Sequence, residues 1–261
     1  MQMQLLGRGR EHYVIQRTQR ARLTNHFENT FASICVTCPH RETGLCGTLL
    51  ESEACHQPSW QHFVAARAGE QIVVRNQPYD DVFVLCAGWA FRYFQLSDGR
   101  RQILKFLLPG DTFSSAAMFE KSLPFSVKAL TEVQLSAFVR SEIRARCAAN
   151  PDVQSAVASS CIADLRDATE LLTSLGQRSA EERIAHLLLH LMPRIAARNV
   201  IREQRYPFPL RQQHIADAVG LTPVHVSRVL SLFRDRRLVA LSEGVLTVFN
   251  LPELERIGTL R

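Results

Sequence analysis

The stretch from Gln212 to Ser231, QQHIADAVGLTPVHVSRVLS, constrains this chain more than any other. Ala216 is small enough to let two helices cross closely, and Gly220 stands where the turn between them needs a positive φ. Val219, Leu221, Val226 and Val229 supply the apolar residues that hold the pair together. Thr222 is a good N-cap and Pro223 suits the first helical position, so the second helix is expected to start cleanly after the turn. That helix presents Val224, His225, Ser227 and Arg228 outward. An arginine and small polar groups on the N-terminal face of a helix suit the base edges of a DNA major groove. The alternative is an ordinary pair of core helices.

Charge supports the first of these readings. Net charge is only +6, but seven arginines (202, 205, 211, 228, 234, 236 and 237) fall between Ile201 and Ala240, against Glu203, Asp217 and Asp235. Arg211 and Arg234, which bracket the helix pair, together with Thr222 at its turn, are expected to join the DNA-contacting set. With 261 residues and 46% apolar content, the chain can bury a full core and suits two domains better than one. No run of eighteen apolar residues exists and the Arg-rich N-terminus lacks an apolar leader core, so a cytoplasmic protein with no membrane partner is expected. Seven cysteines in that reducing compartment point to metal or redox chemistry rather than a disulfide framework.

In chain order, residues 1–30 read as a basic, loosely ordered tail. Residues 31–148 read as a Cys-rich loop followed by a β-roll. In the loop, Cys35, Cys38, Cys46 and Cys55 lie within twenty-one residues, and C-x2-C-x7-C lets three thiolates converge on one centre. Soft thiolates select an iron–sulfur cluster or zinc. Short β-branched and aromatic runs follow, with turns at Gly69, Gly88, Asp98-Gly99 and Pro109-Gly110-Asp111, which is the pattern of a small roll or barrel. Residues 149–177 read as one helix, capped by Asn150 and Pro151 and ending near Gly176. Ala158, Cys161, Leu165, Ala168, Leu172 and Leu175 recur along it at steps of three and four, a coiled-coil seam and hence a dimer interface. The same stripe could also pack on the chain's own roll. Residues 178–261 open with a capping box at Ser179 to Glu182 and a helix limited by Pro193. The helix pair follows, then a hairpin turning at Gly244, and Leu251 to Gly258 as a short last helix.

This order, α+β overall, resembles the CRP/FNR family of bacterial transcription regulators from about Cys35 to the end. The carrying motifs are DGRRQI (Asp98 to Ile103), LLPGD (Leu107 to Asp111), AEERI (Ala180 to Ile184) and LTPVHVSRVL (Leu221 to Leu230). The resemblance implies a homodimer with no enzymatic activity, working with RNA polymerase. It would bind double-stranded DNA at a pseudo-palindromic site whose half-sites lie about one helical turn apart. Members that bind cyclic nucleotides hold them with a Glu and an Arg-Ser pair after the PGD motif. Here Ser115 falls at the Glu and Phe125 at the Arg, leaving only Ser126, so no cyclic nucleotide is expected.

The cysteines resemble those of the FNR branch, which implies a 4Fe-4S cluster responsive to oxygen. That branch draws its fourth ligand from late in the roll, where this chain has Ser136. Cys55, or alternatively Cys86, would then complete the set with Cys35, Cys38 and Cys46, while His40 or His56 could instead complete a zinc site. Cys147 reads as a packing residue. In the recognition helix the family has Glu-x-x-Ser-Arg, and Val224 takes the Glu position while Ser227 and Arg228 remain. Arg228 is expected to read a guanine, with the half-site altered or relaxed beside it. The expected function is a regulator controlled by oxygen or redox state. Alternatives in the same fold sense nitric oxide or a haem ligand, act by thiol oxidation, or need no effector. A Cys-based redox enzyme finds no support, since the only C-x-x-C is followed by Pro39 and no βαβ pattern accompanies it.

Overall fold

The computed structural model of the chain describes Cys38 and residues 44–50, 59–199 and 201–259. The expected basic tail, Cys35, Cys55, His40 and His56 lie outside these residues.

Two antiparallel sheets form the roll. One has the order β1 (Gln61–Ala66), β7 (Val133–Val139), β3 (Asp81–Ala87). The other has the order β2 (Gln71–Val73), β6 (Ser126–Ala129), β4 (Ala90–Gln95), β5 (Arg101–Leu107). The Asp98-Gly99 pair makes the β4–β5 hairpin as its sequence predicts: Leu96 N–H donates to Arg100 O at 2.8 Å, and the Asp98 carboxylate accepts from Arg100 N–H at 3.0 Å. At Gly88, where φ is +82°, a Cβ would stand 2.1 Å from the Glu132 carbonyl, so only glycine lets this turn close on its neighbour. The sheets contribute Val73, Val82, Leu85, Leu107, Val127, Leu135 and Ala137, and the segment after β5 contributes Phe113, to one buried apolar core.

Among the described residues, three α-helices border the roll. α1 (Gly44–Leu50) lies within the stretch expected to be loop, and α2 (Arg140–Ala149) is a separate helix before the expected one. α3 (Pro151–Gln177) starts where Asn150 Oδ1 accepts from Asp152 N–H at 2.9 Å. Gly176 is not its C-cap. The helix runs through it to Gln177, and Arg178 takes the extended backbone that ends the helix.

α4 (Ala180–Ala196) opens with the predicted capping box, both halves present between Ser179 and Glu182. Pro193 does not stop it: the helix continues to Ala196, and Ala197 N–H donates to Pro193 O at 3.0 Å. Pro193 cannot donate to Leu189 and its ring crowds that carbonyl, a cost borne only in the last turn of the helix. Next come β8 (Arg205–Pro207), α5 (Gln212–Val219), α6 (Pro223–Asp235), β9 (Val239–Ser242), β10 (Val245–Val248) and α7 (Leu251–Gly258). β8, β10 and β9 form a three-stranded wing, with Glu243 and Gly244 both at positive φ in its two-residue turn.

A second core crosses the boundary expected at residues 177–179. Trp89, Phe91, Tyr93, Ile103, Phe106 and Leu108, from the β4–β5 hairpin and its ends, are buried with Ile184, Leu188, Phe208, Ile215, Val226 and Phe233. Polar clasps fasten its rim. Arg101 pairs with Asp217 at 2.5 Å, Gln102 Nε2 donates to Ala218 O at 2.9 Å, and Asp111 of the PGD turn accepts from both Arg194 and Arg198. No helix among the described residues is long and apolar enough to cross a membrane.

Candidate nucleic-acid interface

α5 ends at Gly220, whose φ of 66° and ψ of 38° place it in the left-handed region, and Leu221 N–H returns to Ala216 O at 3.1 Å. Thr222 then caps α6, its hydroxyl oxygen accepting from His225 N–H at 3.2 Å. Val226, Val229 and Phe233 are buried against α5 and the wing side of the domain. The opposite face is open: Thr222, Val224, His225 and Arg228 are exposed and Ser227 is half-buried. With Val229 and Leu232, the first four line a shallow surface depression. Arg211 and Arg234 are exposed at the edges, and Arg234 lies only loosely, at 3.9 Å, against Asp235. The face therefore carries cationic side chains on a helix whose free N-terminal N–H groups add positive potential.

Arg92 and Asp164, which sequence reasoning did not single out, link the roll to α3. Arg92 donates to Phe113 O at 3.3 Å and to Asp164 Oδ1 at 3.0 Å, and its guanidinium lies over the Phe125 ring, 5.2 Å from the centroid. Asp164 also accepts from Lys105 at 3.2 Å and from the Ser115 hydroxyl at 3.0 Å, while Lys105 reaches Asp167 at 2.5 Å. Burial pushes the Asp164 carboxyl up, but attraction to Arg92 and Lys105 outweighs it and holds the group below the usual range. Ser115 and Phe125, the two positions compared above with a nucleotide-binding pair, thus both belong to this network.

Cys46 sits half-buried on α1, packed against the roll core, and Cys38 is also half-buried. Cys86 is half-buried on β3. Ser136 is buried on β7, its hydroxyl oxygen accepting from Gln61 Nε2 at 2.7 Å. Among the described residues, no three His, Cys, Asp or Glu side chains converge as a ready-made ligand set. Cys147 packs on the roll core. So does Cys161, which therefore turns away from the predicted seam. Leu175 also turns inward, its Cδ2 3.1 Å from where a Cβ on Gly220 would stand. Ala158, Leu165, Ala168 and Leu172 are exposed as expected of a seam, and Ile162, absent from the predicted set, is exposed with them. The reason is that α3 carries two apolar stripes about one residue apart, and periodicity alone merges them.

A β-roll joined by a long helix to a winged helix-turn-helix with an open, cationic face is the architecture of a DNA-binding transcription regulator, not of an enzyme. Residues 63–150 match the cyclic nucleotide-binding domain, and residues 182–257 match the Crp-like helix-turn-helix domain. The nitrogen fixation regulation protein FixK of Azorhizobium caulinodans is 32% identical over 185 residues, covering 68% of this chain and 74% of its own. The transcriptional activator protein FnrL of Cereibacter sphaeroides is 27% identical over 223 residues, covering 84% and 89%. The solved structure of FixK2 from Bradyrhizobium japonicum superposes with a TM-score of 0.71 at 25% identity, covering 77% of this chain and 98% of that one. The chain belongs to the CRP/FNR family of transcription regulators.

Proposed function

We propose that this chain is a homodimeric transcription regulator whose DNA affinity follows oxygen or redox state through an iron–sulfur cluster held by Cys35, Cys38, Cys46 and Cys55. The position of Cys46 carries the proposal. α1, on which it stands, packs directly on α3, the helix with the outward apolar run. Leu45, Leu49 and Leu50 of α1 share one core with Val153 and Val157 of α3, so a change in what holds Cys46 is felt at α3.

The donor set suits the cofactor. Four thiolates are soft ligands of the kind that hold iron–sulfur clusters, and the half-burial of Cys38 and Cys46 keeps them near the surface yet screened from bulk water. Ser136 is a poor replacement ligand because its hydroxyl is already engaged inside the sheet, which favours Cys55 as the fourth, with Cys86 as the alternative. When bound, such a cluster supplies iron–sulfur bonds that an oxidant can attack. The chain's own contribution is to couple α1 to α3, and α3 to a partner, so that the population of DNA-competent dimer shifts.

We assign no cyclic nucleotide to the roll. Arg92 and Lys105 are committed to Asp164 and Asp167 of α3, and Phe125 covers Arg92. A phosphate there would have to displace carboxylates already in place. The dimer is expected to read two half-sites one helical turn apart, and RNA polymerase is its further partner.

Protein purified without oxygen is expected to contain iron and sulfide, to absorb in the visible, and to lose both colour and specific DNA binding on exposure to air. A colourless, iron-free anaerobic preparation would overturn the cluster.

A further inference from the structure

We infer that Val224 is a specificity-determining residue that recognises the 5-methyl group of a thymine next to the base pair contacted by Arg228. The inference rests on the DNA-reading role proposed for α6. Val224 is the second residue of α6 and stays 62% exposed, although Val226 and Val229 on the same helix are buried. It contributes nothing to the domain core. It brings no local benefit either, because a β-branched residue is a weak helix former and an acidic or hydroxyl side chain at this position would gain from the helix N-terminus. What it does is make one apolar wall of the depression formed with Thr222, His225, Arg228, Val229 and Leu232.

A major groove offers one apolar group, the thymine methyl, and a branched aliphatic side chain matches it. Val224 and Arg228 are four residues apart on an α-helix, on the same side and separated by about 6 Å along its axis. Base pairs are stacked about 3.4 Å apart, so the two side chains fall on adjacent or next-adjacent pairs. An arginine reading guanine and a valine reading thymine then define a step that excludes cytosine at the second position. There the valine would desolvate an amino group that it cannot pair.

The test uses the full-length protein. A site is first selected from random duplexes, and each thymine of its half-sites is then replaced by deoxyuridine, which lacks only the methyl. Wild type is expected to lose about fourfold in affinity at one thymine per half-site, the worth of one methyl group, and about fifteenfold when both half-sites are changed. Val224→Ser is expected to bind thymine and uracil sites equally, and Val224→Thr, which keeps a methyl, to restore the preference. Because the side chain is exposed, unchanged thermal unfolding of both variants would exclude misfolding. If wild type tolerates uracil at every position, or Val224→Ser still discriminates, the inference is overturned while DNA reading by α6 stands. If no sequence is selected at all, both fall.

Discussion

Gly220 sets the angle between the two helices of the reader by adopting a left-handed conformation, and it does so against Leu175 at the end of α3. Gly220→Ala is expected to destabilise the protein by about 1–2 kcal/mol, because φ of +66° is costly for an L-residue and the new methyl meets Leu175 Cδ2 at 3.1 Å. A denaturant midpoint measures it. Arg228 is exposed and forms no part of the core, so its loss should be felt only on DNA. Arg228→Ala is expected to cost about 1–3 kcal/mol on the selected site and much less on random DNA. Equal losses on both would identify a phosphate contact instead.

At the scale of elements, α3 meets the roll through Val153, Val157 and Cys161 together with the carboxylates of Asp164 and Asp167, and turns Ile162, Leu165 and Leu172 outward. Asp164 joins it to the roll, and Asp164→Asn is expected to destabilise the protein by about 2 kcal/mol by leaving the buried Arg92 without its carboxylate, while Lys105 keeps Asp167. Its carboxyl is held below the ordinary value, so its contribution is full above the unfolded carboxylate range and lost as pH falls through the folded pKa. The wild-type protein should therefore lose more stability on acidification than the Asn variant. α4 behaves differently. His186 and His190 face Glu170 at 4.0 and 3.9 Å, yet burial first, then Arg178 beside His186 and Arg194 beside His190, push both imidazoles down despite that carboxylate. For these bases the unfolded chain takes up protons first, so stability is full above pH 6.5 and falls as pH drops below it. Thermal unfolding across this range is expected to show that slope, and replacing both residues with Gln to reduce it, the remainder coming from His214, which burial also holds low.

In the whole molecule, the roll and the DNA-binding domain share a core through the β4–β5 hairpin, while Ile162, Leu165 and Leu172 stand 59%, 68% and 72% exposed on α3. Such a row on one helix face suits the homodimer proposed above, in which a second copy of the same helix would cover it in a self-complementary way. The double variant Leu165→Glu, Leu172→Glu is expected to elute as a monomer and to lose most of its affinity for a two-half-site duplex while retaining its fold. Elution as a dimer would place the interface elsewhere.

Local chemistry was sufficient for much of this. Asn150-Pro151, the Ser179 capping box, Asp98-Gly99 and the Gly220-Leu221-Thr222-Pro223 turn each fix backbone geometry within a few residues, so their elements could be read directly. α1 and α2 could not be: GLCGTLL is only seven residues long with two glycines, and SEIRARCAA offers only Ile143 and Cys147 to the core, so neither is long enough or apolar enough for its i, i+4 pairs to stand out as a helical stripe. Periodicity says which residues share a face but not what covers it. Only the tertiary structure decided that Cys161 and Leu175 turn inward while Ile162 turns outward, that Asp164 meets Arg92 from 72 residues away, and that the hairpin's aromatics are buried by the DNA-binding domain. Those are contacts between segments distant in the chain. Their free energy comes from excluding water between surfaces that no local pattern can pair in advance.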